Sequence, residues 1–227
     1  NYLWLGPQTL TGGGGNPDLD PYESNNYDFS AEWYFNENSI LAGTVFYKDV
    51  SNYILYTTSP EVHFNQSTNT DTTFVISRPR NAGSGHVKGF NLSFQQPFGE
   101  SGFGLTANYT YANGENNSGD PLPYQSRNSV EFSPYYEKGP INARLTYNWR
   151  DSYLAGGYVA GSAPASVDDY AELGASFGYT FNENWSLNID AQNLLDETYF
   201  QYLGDKEHLA GKYKSGRRYM ATVHFKF

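Results

Sequence analysis

Nine segments of this chain carry large apolar side chains at every second position, and no other feature restricts the fold as strongly. Successive side chains of an extended strand point to opposite faces, so a period of two means strands with one apolar and one polar face. The segments are residues 24–35, about 40–53, 86–96, 103–112, 127–136, 141–150, 170–181, 185–193 and 217–227. The sixth is the cleanest. Ile141, Ala143, Leu145, Tyr147 and Trp149 face one way, and Asn142, Arg144, Thr146, Asn148 and Arg150 the other. Aromatic residues make up 18% of the chain, which excludes disorder, and 21 Tyr with 23 Gly give a β composition that excludes a helical bundle.

The connections alternate as well. Short ones at 36–38, 99–101, 138–140 and 182–184 read as hairpin turns, and between them run long ones at 57–85, 113–124, 151–168 and 195–216. All short turns therefore lie at one end of the sheet and all long loops at the other. The polar faces hold Asn, Ser, Thr and Gly rather than the Lys and Glu of a solvated sheet, and aromatics such as Trp33, Phe35, Tyr111, Trp149, Phe181 and Trp185 stand near strand ends. These features predict an all-β transmembrane antiparallel barrel: apolar band outside, polar lumen inside, aromatic girdles at both interfaces, turns of unequal length. A soluble carbohydrate-binding or hydrolysing β-sandwich is the alternative. The net charge of −10 argues against nucleic acid, the absence of Cys removes thiolate chemistry, and no apolar run is long enough for a transmembrane helix.

The segment from Gly15 to Asp28, Gly-Asn-Pro-Asp-Leu-Asp-Pro-Tyr-Glu-Ser-Asn-Asn-Tyr-Asp, runs into Glu32-Trp33-Tyr34-Phe35 and resembles a passage of TonB-dependent outer-membrane receptors. Tyr47-Lys48-Asp49-Val50, Val87-Lys88-Gly89-Phe90-Asn91, Asn193-Leu194-Leu195-Asp196-Glu197-Thr198-Tyr199 and the tail from Gly216 to Phe227 resemble the same family, in family order. The resemblance implies the last nine strands of a 22-stranded barrel in a Gram-negative outer membrane, bounded by lipid, with the long loops extracellular. It also implies an amino-terminal plug, upstream strands and contact with the TonB complex, none of which this chain carries. Residues 24–227 are expected to be barrel, and residues 1–23 an extracellular loop with the end of a preceding strand. The sequence starts without Met or a signal peptide, so a mature or excised part of a longer chain is expected.

Such a protein imports a nutrient without covalent chemistry. Tyr22 and Tyr27-Asp28 lean the resemblance toward receptors for oligosaccharide-type ligands, with a siderophore or cobalamin as the competing small molecule. Tyr56, His63, Arg78, Arg80, Tyr124, Arg150, Tyr153, Tyr158, Tyr202 and His208, on or beside the long loops, are the candidate ligand contacts. Aromatic faces stack on sugars, and Arg or His binds anionic groups. No cofactor is implied. The four His residues lack metal-site spacing, Asp18 and Asp20 sit between prolines as turn formers, and Gly12 to Gly15 reads as a flexible connection. Arg144, Arg150, Glu32, Glu131, Glu172 and Asp190 fall on polar strand faces and are expected to form the lumen wall.

Overall fold

A computed structural model describes residues 2–81, 83–155 and 163–227. The alternating segments form one antiparallel sheet of nine strands: β3 (Glu23–Asn36), β4 (Ser39–Ser51), β7 (Gly85–Pro97), β8 (Phe103–Asn116), β9 (Asn128–Lys138), β10 (Ile141–Arg150), β13 (Tyr170–Thr180), β14 (Trp185–Gln192) and β17 (Arg218–Phe225). Each strand pairs with its neighbour in the chain's own order, and β3 and β17 are the two edges.

The register sorts the side chains into two faces. Directly opposed residues of antiparallel strands share a face. One cross-strand row reads Trp33, Leu41, Phe94, Ala107, Phe132, Tyr147 and Leu173. The row on the other face reads Ser30, Thr44, Asn91, Thr110, Ser129, Arg150 and Tyr170. The apolar face is not a core: Trp33 is 65% exposed, Phe132 46%, Ile189 42% and Val223 61%. Among the described residues the buried apolar side chains are Val50, Phe74, Ile76 and Val167, none of them from that row. A sandwich would have covered the row with a second sheet, so the surroundings that suit it are lipid.

The long connections contain more structure than their sequence suggested. Residues 57–85, expected as a loop, hold most of a hairpin of β5 (Ile54–Asn65) and β6 (Thr70–Asn81). It joins β1 (Leu3–Gly6) and β2 (Thr11–Gly14) in a four-stranded sheet ordered β1-β2-β6-β5. Gly12 and Gly13 are therefore not a flexible connection. They are buried in β2, alongside Ile76 and Ser77 of β6, and a Cβ on Gly12 would meet the Trp4 carbonyl oxygen and the Ile76 side chain. A third sheet, β11 (Tyr153–Leu154), β12 (Ala165–Val167), β15 (Tyr199–Leu203) and β16 (Asp205–Tyr213), joins two other long connections.

Candidate functional site

The candidate residues gather at the long-loop end in two groups. On the β5–β6 hairpin the register puts Arg80 opposite Leu55, Arg78 opposite Thr57, and Glu61 opposite Phe74, all on one face. Glu61 is the centre: Arg78 Nη2 donates to Oε2 at 2.7 Å, Arg80 Nη2 donates to Oε1, and His63 Nε2 lies 3.1 Å from Oε2. Arg80 Nη2 also donates to Ser59 Oγ at 2.6 Å. Burial opposes ionisation of Glu61, yet the hydrogen bonds from His63 and Arg80 and the charge of Arg78 outweigh it and hold the carboxyl below its ordinary range. Two guanidiniums share one carboxylate, and the Nε atoms of Arg78 and Arg80 are buried without a hydrogen-bond partner. The cluster can accept a further anion. Tyr56, paired with Pro79, is on the opposite face and exposed, so it does not join the cluster.

The second group surrounds Arg150, the last residue of β10. Its guanidinium lies 4.7 Å from the ring of Tyr153 and 5.8 Å from that of Tyr170, held by cation–π contacts, and its Nη1 is buried without a partner. Clefts open on both sides. Tyr153, Tyr202, Arg127 and Asp151 line one of about 320 Å³, and Arg150, Tyr170, Glu131 and Glu172 line one of about 430 Å³ on the polar sheet face. Asp151 anchors the rim through Asn128, whose Nδ2 donates to Oδ2 at 2.9 Å.

The remaining candidates are scattered. Tyr124 is exposed, with a positive φ of 63°, and its amide donates to the Leu154 carbonyl at 2.7 Å. His208 pairs with Asp205 at 2.7 Å in solvent, which keeps that carboxyl below its ordinary range. Tyr158 lies outside the described residues. Glu61, Asp151 and Tyr170 were not singled out by sequence; strand register brings Glu61 to Arg78 and Arg80 and Tyr170 to Arg150, and Asp151 follows directly on β10 and is held by Asn128.

The sequence matches the family model "TonB dependent receptor-like, beta-barrel" over residues 1–194. The chain belongs to the TonB-dependent receptor family. Its match places the nine-stranded sheet as a partial receptor barrel. Among solved structures this barrel is similar to the siderophore receptor PirA from Acinetobacter baumannii at 20% identity and a TM-score of 0.70, covering 96% of this chain and 33% of that one. A mutant of the ferric enterobactin receptor PfeA from Pseudomonas aeruginosa gives 20% identity and a TM-score of 0.72, covering 98% and 35%. The copper transporter OprC gives 18% and 0.66, covering 93% and 32%. The receptor barrel thus spans about a third of the length of the solved structures it resembles. TonB-dependent receptors are outer-membrane transporters, which accounts for the exposed aromatic belt.

Proposed function

We propose that this chain is the carboxyl-terminal barrel portion of an outer-membrane importer energised through TonB, with its long connections outside the cell and an anionic metal chelate as ligand. The observation that carries the ligand class is the excess of positive charge at the loop end, where Arg78 and Arg80 share the single carboxylate of Glu61 and Arg150 has no carboxylate partner among the described residues. Such groups favour an oxygen-rich anion, because a charged donor left unpaired away from water costs more than one that is bonded. A neutral oligosaccharide satisfies guanidiniums less well than carboxylate, catecholate or hydroxamate oxygens do. Two similar structures are named for siderophores or enterobactin and one for copper, which supports a metal-linked ligand over the oligosaccharide expected from the sequence.

The test is uptake by cells carrying the full-length receptor, offered iron-loaded catecholate and hydroxamate chelates in parallel with labelled oligosaccharides. Chelate uptake that falls at least about tenfold in Arg78→Ala/Arg80→Ala, as loss of charged hydrogen bonds predicts, is the expected result. Oligosaccharide uptake without chelate uptake overturns the ligand class.

A further inference from the structure

The cleft on the polar sheet face holds both signs of charge with no ion pair among them. In the register, Ser129, Arg150 and Tyr170 form the row nearer the loops, and Glu131, Asn148 and Glu172 form the next row down the same face. Both rows line the cleft of about 430 Å³. Among the described residues neither Glu131 nor Glu172 lies within ion-pair distance of Arg150 or of any other cation. Nearby, Asn108 Nδ2 approaches Glu131 Oε2 at 3.5 Å, a weak contact. Arg150 is already clamped between the rings of Tyr153 and Tyr170, so its charge is fixed in place at the upper rim. The contrast with Arg144 is informative: farther down β10 on the same face, Arg144 closes on Glu137 at 3.3 Å and stacks over Tyr135. That arginine is neutralised locally and this trio is not.

We propose that this cleft is a subsite for a zwitterionic group, with an acid seated on Arg150 and an ammonium or guanidinium between Glu131 and Glu172. Glu131 and Glu172 flank Asn148 from the two strands beside β10, about 10 Å apart backbone to backbone, so a cation seated over Asn148 can reach both carboxylates, and Arg150, with no carboxylate partner among the described residues, can receive an anion. Residues two apart on a strand are about 6–7 Å apart. A ligand whose acid and base are separated by a short aliphatic chain spans that distance, as free arginine does. The subsite rests on the import reading, since the polar face must line the ligand's path. It narrows the substrate class to chelates that carry an amine or guanidinium beside their acidic groups.

The probe is L-arginine, titrated onto the full-length receptor in detergent by saturation-transfer NMR, with agmatine, which lacks the carboxylate, as comparison. Saturable arginine binding, weakened at least about tenfold in Glu131→Gln/Glu172→Gln as the loss of charged hydrogen bonds predicts, supports the subsite. Arg150→Gln should weaken arginine but leave agmatine unchanged. Thr222→Ser, on the same face but outside the cleft, should change neither, and heat modifiability of each variant checks that the barrel has formed. Binding that does not saturate, or that is indifferent to all three charged positions, overturns the proposal; a cleft filled by another segment of the receptor gives that result. Chelate uptake is read separately, so uptake with no arginine binding sinks only the subsite, and arginine binding without chelate uptake sinks only the ligand class proposed for import.

Discussion

Asn193 shows how much a single side chain can hold. Its φ is 52°, its side chain is buried, Nδ2 donates to the Gly216 carbonyl at 3.1 Å and approaches Ser215 Oγ at 3.3 Å, and Oδ1 accepts from the Glu197 amide at 2.8 Å. Asparagine tolerates the left-handed backbone and can donate and accept at once, so it ties the end of β14 to the approach of β17. Arg217 adds a hydrogen bond from Nε to the Leu194 carbonyl at 2.9 Å. Asn193→Leu should therefore destabilise the full-length receptor by about 2–4 kcal/mol, the sum of a strained φ and unpaired buried groups. A lowered midpoint of heat modifiability measures it. At Glu61 the effect is one of pH. Its carboxyl is held below the ordinary range in the fold, so its stabilisation of the β5–β6 hairpin is full above the unfolded pKa and is lost as pH falls through the depressed folded value. Protection of the β5–β6 amides, taken relative to the intrinsic exchange rate at each pH, should be high at neutral pH and fall on acidification below the ordinary glutamate range, and Glu61→Gln should be weakly protected at both. A pH-independent pattern in the native receptor would contradict the role given to Glu61.

Among the elements, β14 offers the most direct test of the two faces. Ile189 sits opposite Phe177 and Ala221, and Asn188 opposite Gly178 and Thr222. Arginine at a lipid-facing midplane position costs about 2–4 kcal/mol, whereas lumen positions tolerate it. Ile189→Arg should lower the surface level of the full-length receptor sharply. The buried Gly178, whose missing Cβ would meet the side chains of Asn142 and Asn188, marks the lumen row as crowded at that height, so Thr222→Arg is the better neutral partner than Asn188→Arg. Spin labels at Leu187 and Thr222 should respond to oxygen and to a water-soluble reagent respectively; two water-accessible labels would exclude the barrel face assignment. The nine sheet strands were legible because lipid on one side and water on the other impose a strict period of two. The β5–β6 hairpin was not: residues 57–85 were expected as a loop, and the segment lacks the strict period of two while carrying Pro60 and Pro79. Prolines are tolerated on sheet edges, and β5 is the edge of its sheet while β6 is paired to β2 only as far as Ser77. The charged sites were half legible for a related reason. Arg78, Arg80 and Arg150 declare themselves by residue type, but the carboxylates and rings that complete them come from register, which no local pattern of residues specifies.

At the scale of the whole molecule the open sheet decides what this chain can do by itself. β3 and β17 end the nine-stranded sheet, and among the described residues no other strand pairs the outer row of backbone amides and carbonyls that each presents. In lipid every unmet backbone group costs several kcal/mol, which is why only closed barrels and helices cross the bilayer. The two edges must therefore be joined through further strands of the receptor, in keeping with a span of about a third of the similar solved chains. Folding in detergent should follow the same rule. Residues 1–227 produced alone should give aggregates without a heat-modifiable band, whereas the full-length receptor should give a compact monomer that shifts on heating. Within that receptor, β3 should be protected from amide exchange along both of its sides, because its outer edge is paired; exchange of alternate β3 amides at the rate of an open edge would show that the barrel does not close there, and a heat-modifiable monomer from residues 1–227 alone would show that no further strands are needed.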